Sequence, residues 1–85
     1  MDYVVIASRT RTGAIKISKI MLNAGVENKV INTPKEAAVG CGLSVAIRER
    51  DYKKAKIALY PYAGESGYAF FSVKESFGKR TVKRI

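Results

Sequence analysis

The stretch "TPKEAAVGCGLSVAIRE" contains the only cysteine of an 85-residue chain, Cys41, set between Gly40 and Gly42. A lone thiol supports a narrow range of chemistry. Its thiolate is the reactive form. It can hold one sulfur or selenium atom as a persulfide or selenosulfide, or it can sense oxidants. Glycine on both sides lets a ligand approach the backbone closely, and the free N–H groups could cradle an anion. The same cysteine also reads as a small buried apolar residue where a strand begins. The glycines then read as turn residues with nothing bound.

A second constellation is "SRTRTG", residues 8–13, where Arg9 and Arg11 alternate with Ser8, Thr10 and Thr12 just before a helical pattern. Guanidinium groups beside a helix N-terminus suit a phosphate or a carboxylate. A helix cap flanked by two solvated arginines is the plainer reading. A third is the basic run "GKRTVKR", which could hold nucleic acid electrostatically without reading its sequence, or simply be a solvated tail.

What is missing narrows the field further. The chain has no histidine, so a Cys-His dyad, a Ser-His-Asp triad and a histidine metal site are excluded. One cysteine cannot hold an iron–sulfur cluster or a structural zinc alone. Neither a P-loop nor a G-x-G-x-x-G pattern occurs, and no cofactor is expected. Sixteen Lys and Arg against seven Asp and Glu give +9, which favours anionic partners as well as solubility. The 47% hydrophobic content fits a folded chain. No apolar run is long enough to span a bilayer. The opening "MDYVVIAS" does not read as a signal peptide, so the expected compartment is the cytoplasm.

The elements that must position these residues follow from periodicity. Residues 3–8, "YVVIAS", read as a buried strand. Residues 12–25 follow helical spacing, with Ala14, Ile17, Met21 and Ala24 on one face, joined by Ile20. Thr12 is the expected cap and Gly25 the expected residue past the end. Residues 28–33 read as a second strand stopped by Pro34. Residues 43–49 alternate Leu43, Val45 and Ile47 with Ser44, Ala46 and Arg48, the mark of a one-sided strand. Asp51 is expected to cap a second helix bearing Tyr52, Ala55 and Leu59, which Pro61 ends. Residues 61–67 read as a loop and 68–75 as a last strand. The tyrosines and phenylalanines are expected to pack rather than to stack on bases.

The order β-α-β-β-α-β predicts an α+β fold of the ferredoxin-like, split βαβ kind. It has a four-stranded antiparallel sheet of order 4-1-3-2 with two helices on one face. A two-strand, two-helix partial sheet with a swapped partner is the alternative. Residues 1–75 form the expected domain and 76–85 a basic C-terminal tail. In this topology the 34–42 loop, Arg9, Arg11 and the start of the first helix share one end of the sheet, and the tail leaves from the other. Arg9, Arg11 and Lys35 would then favour the Cys41 thiolate.

The segment "TPKEAAVGCGLSV" resembles the hallmark of a small bacterial family of selenium/sulfur carrier-like proteins. That hallmark is a proline with a following basic residue, then, seven residues after the proline, a Cys-Gly-Leu tripeptide. Pro34, Lys35 and Cys41-Gly42-Leu43 match it, and the strand ending at Ser8 and the helix closing in "NAGV" are similar as well. The resemblance covers about residues 3–60. It implies that Cys41 is a carrier thiol, loaded by one protein and unloaded by another, in a carrier rather than an enzyme with its own turnover. Gly40 and Gly42 would give access to it. The competing expectation is a regulatory or binding module that recognises an anionic ligand or nucleic acid through its basic surface, with Cys41 structural. Pairing of an exposed sheet edge into a homodimer is a third expectation.

Overall fold

The computed structural model describes residues 2–37, 42–62 and 67–85. Seven main elements follow one another: β1 (Asp2–Ser8), α1 (Arg11–Asn23), β2 (Asn28–Asn32), β3 (Leu43–Arg48), α2 (Tyr52–Leu59), β4 (Tyr68–Ser76) and β5 (Lys79–Arg84). The strands form one antiparallel sheet in the order β2-β3-β1-β4-β5. The expected four-stranded order is therefore corrected to a five-stranded one. The fifth strand is made from residues read in the sequence as part of a basic tail.

β1 is apolar at successive positions because both of its faces are covered, as expected of a central strand. Val4 and Ile6 join Val45 and Ile47 of β3 in a cluster with Ile17 and Met21 of α1 and Ala55 and Leu59 of α2. Both helices thus lie on one face, and the alternation in β3 and the α1 stripe meet in a shared core. Ile6, Met21 and Leu59 are almost fully buried. Each contributes roughly 1.5–3 kcal/mol relative to exposure. Edge-to-face contacts of Tyr52 and Tyr68 with Phe70 close the α2 side, with ring centroids 5.3 and 5.7 Å apart.

Val5 and Ala7 face the other way, into a second cluster with Ala69, Phe71 and Val73 of β4. Among the described residues no α-helix covers this cluster. A single turn of 3-10 helix, Lys35–Ala37, buries Ala37 in it, and Val82 of β5 packs against it. The ion pair between Arg80 and Glu36, 3.1 Å, ties that turn to β5.

Two caps differ from expectation. Thr10, not Thr12, starts α1: its backbone is extended and its Oγ1 accepts the Gly13 N–H at 2.9 Å. Thr12 lies inside the helix and is exposed. Asp51 makes no side-chain cap to α2. A 3-10 turn, Glu49–Asp51, leads into that helix, and the Asp51 carboxylate faces the Arg48 guanidinium at 3.5 Å instead. Among the described residues no helix is long and apolar enough to cross a membrane.

Candidate functional site at one end of the sheet

The strand register decides which candidates meet. Ala7 pairs with Ser44 and Ser8 with Tyr68. Just beyond these pairs, the Arg9 N–H donates to the Gly67 carbonyl at 3.1 Å, and the Thr33 N–H donates to the Gly42 carbonyl at 2.7 Å. Arg9, Gly42, Gly67 and the start of α1 therefore share one end of the sheet. Arg11, the first residue of α1, is exposed there. Gly42 has φ +85° and open space around its Cα, so a side chain at this position would be strained by the backbone rather than by a neighbour.

The connection from β2 to β3 leaves this end at Thr33 and returns to it at Gly42. Between them, buried Pro34 and Ala37 anchor it over the helix-free face, while Lys35 is exposed. Thr33 and Ser44 share a hydroxyl–hydroxyl hydrogen bond at its base. Gly40 and Cys41 lie outside the described residues, as does the greater part of the 61–67 loop.

The hydroxyls of "SRTRTG" serve the helix start. Ser8 Oγ donates to the Thr10 carbonyl at 3.0 Å, the Thr10 N–H donates to Ser8 Oγ at 3.3 Å, and Thr10 Oγ1 takes the Gly13 N–H. A Cβ on Gly13 would stand 2.5 Å from Ser8 Oγ, so this knot accepts only glycine there without rearrangement. With Ser8 and Thr10 so engaged, the arginines and the exposed Thr12 are left as the groups in this motif that can meet a ligand.

Two residues at this end were not singled out from the sequence, Gly67 and Arg84. The tail was expected to leave from the far end. It does leave there, after Ser76, but Phe77 and Gly78, with φ of 51° and 76°, turn the chain and β5 runs back beside β4. Arg84 pairs with Phe71, and the Ile85 N–H donates to the Phe70 carbonyl at 3.0 Å. The available signal was a Phe-Gly pair between two strand-length runs, which is compatible with a two-residue hairpin turn. Nearby, the Tyr68 hydroxyl donates to the Leu59 carbonyl at 3.2 Å, and burial raises its pKa above the ordinary tyrosine value.

A model of the protein family described as "Putative Se/S carrier protein-like" matches residues 2–60. The match runs from β1 to the end of α2 and takes in the whole β2–β3 connection with its single thiol. No curated protein and no solved structure matches the chain.

Proposed function

The chain belongs to the family described as "Putative Se/S carrier protein-like", and from that premise we propose that Cys41 is the atom-carrying thiol. The observation that carries this reading is that the family match spans the connection holding the only cysteine of the chain. Both flanks of that connection, Thr33 and Gly42, are fixed at the sheet end that also presents Arg9 and Arg11. Cations of this kind favour a thiolate. Lys35 adds a third charge on the connection itself, and Gly40 and Gly42 leave the backbone next to the thiol unobstructed by side chains.

The chemistry needs one thiolate and no histidine base. The Cys41 thiolate attacks the outer sulfur of a donor persulfide. A new S–S bond forms on Cys41 as the donor's S–S bond breaks, and the donor leaves as its thiolate. The transferred sulfur keeps its oxidation state, so no separate oxidant enters. An acceptor thiolate removes the sulfur by the reverse exchange, and a zero-valent selenium atom follows the same course as a selenosulfide. The partners are thus a donor protein and an acceptor protein, in a compartment such as the cytoplasm where thiols stay reduced.

The test is loading with a small-molecule persulfide, followed by treatment with cyanide. Cyanide takes the outer sulfur as thiocyanate and returns the thiolate. The wild-type chain should release about one thiocyanate per chain, because one thiol forms one persulfide. Cys41→Ser should release none while keeping the fold. Equal release from the two proteins would sink the proposal.

A further inference from the structure

The sheet end carries a feature beyond the carrier chemistry, which draws on Arg9 but not on Arg84. Arg9 and Arg84 line one pocket of about 290 Å³ with Gly67, Tyr68 and Ala69. They come from opposite ends of the chain. Arg9 follows β1 and Arg84 closes β5, so the two flank the start of β4 from either side. Both side chains are exposed, and among the described residues neither is paired with a carboxylate. Arg48 and Arg80 do have such partners, whereas Arg11 and Arg50, among the described residues, also have none. Among the described residues that line the pocket none is acidic. A Cβ on Gly67 would stand 2.4 Å from Arg9 Nε and 2.5 Å from its Cδ, so the Arg9 side chain lies over this glycine and would have to shift if a side chain were added there.

We infer that Arg9 and Arg84 form a binding site for a small phosphate-type oxyanion in this pocket at the end of the sheet. Two guanidinium groups present forked donors that match the oxygens of a tetrahedral anion and balance up to two negative charges. The volume lies at the small end of ligand pockets, which suits a phosphate group rather than a whole cofactor. The anion is either free phosphate or the phosphate of a larger molecule, whose remainder would extend into solvent from this open site. The site shares Arg9 with the surroundings of the thiol, but none of its residues holds the sulfur atom itself.

The experiment is calorimetric titration of the full chain with inorganic phosphate and, separately, with a simple phosphomonoester. It is done on the wild type, on Cys41→Ser, and on Arg9→Gln, Arg84→Gln, Gly67→Ala and Lys79→Gln. Saturable binding is expected for the wild type and unchanged for Cys41→Ser. Each arginine substitution should weaken it about tenfold or more, the size expected for losing a charge-assisted hydrogen bond. Gly67→Ala should weaken it by displacing Arg9 with its charge intact. Lys79→Gln removes one charge at the far end of β5 and should change affinity by no more than about twofold. Tighter binding of the ester identifies a larger phosphorylated ligand, and equal binding identifies the free ion; both support the site. Loss in Lys79→Gln equal to that in Arg9→Gln would show diffuse attraction to a basic surface and overturn the site. So would absence of saturable binding by both ligands. Neither failure touches the carrier reading, because Cys41→Ser is silent in this titration and decisive in the cyanide assay.

Discussion

Glu36 sits on the connection that leads to Cys41, and its carboxylate pairs with Arg80 of β5. Its pKa lies below the ordinary value. The largest cause is a hydrogen bond from its own backbone; desolvation opposes this, and the Arg80 guanidinium reinforces it. A depressed carboxylate contributes stability that is present above its unfolded value and is lost as pH falls through the folded value. The clamp should therefore hold at neutral pH and open in acid. An NMR titration should show the Glu36 carboxyl moving toward its ordinary value in Arg80→Gln; an unchanged titration would mean that the ion pair is not formed. A second prediction concerns the arginines near the thiol. If Arg9 and Arg11 favour the Cys41 thiolate, replacing both with Gln should slow its alkylation below the thiol pKa by up to about tenfold, on the order of one pKa unit from two partly exposed charges. Raised salt should slow it less. Equal alkylation rates in the two proteins would remove these arginines from the thiol's account.

At the scale of elements, the caps and the hairpin can be tested one residue at a time. Thr10→Ala removes the acceptor for the Gly13 N–H and should cost about 1 kcal/mol. In a domain of this size that lowers Tm by roughly 4–8 °C, whereas Thr12→Ala should change it little. Phe77 is fully exposed at the hairpin tip with φ 51°. A non-glycine residue in this region carries a backbone cost, and asparagine is favoured before glycine in such a turn. Phe77→Asn should therefore raise stability, by roughly 0.5–1 kcal/mol. A fall in Tm would show that the phenyl ring makes a contact that compensates for its backbone. The hairpin also shows where the sequence was hard to read. In β3 the alternation of Leu43, Val45 and Ile47 is plain because Val45 and Ile47 enter the core shared with the helices, while the other face carries the buried but polar Ser44, the half-buried Ala46 and the exposed Arg48. In β5 only Val82 is apolar, since this edge strand meets the core at one position and water at the rest, so no period emerges. Asp51 misled for a related reason: the residue type suits a cap, but Arg48, three residues earlier, takes the carboxylate. The unbroken apolar run of β1 did announce a strand buried on both faces. The sequence did not reveal that a short turn around Ala37, rather than a helix, covers the second face.

Across the whole molecule, charge and topology act together. β5 brings Lys79, Arg80, Lys83 and Arg84 to one sheet edge, and a row of like charges discourages a second copy from pairing there. The other edge, β2, holds one lysine in five residues, so a homodimer formed through a sheet edge would use β2. The return of β5 also changes the candidate site. The expected split placed a basic tail away from Arg9, but the five-stranded sheet sets Arg84 on the far side of β4 from it, in one pocket. The gathering of Arg9, Arg11 and the flanks of the thiol-bearing connection was legible from strand order alone, because alternate crossovers must return to the same end. Arg84 was not, because its place depends on a strand the sequence does not display. The central claim remains that Cys41 carries a sulfur or selenium atom, and intact-mass measurement of the full chain purified without reductant tests it most directly. The account predicts a fraction of wild-type chains heavier by one sulfur or one selenium atom, an increment removed by a thiol reductant and absent from Cys41→Ser. An increment that persists in Cys41→Ser, or a wild-type chain that stays unmodified even after exposure to a persulfide donor, would contradict it.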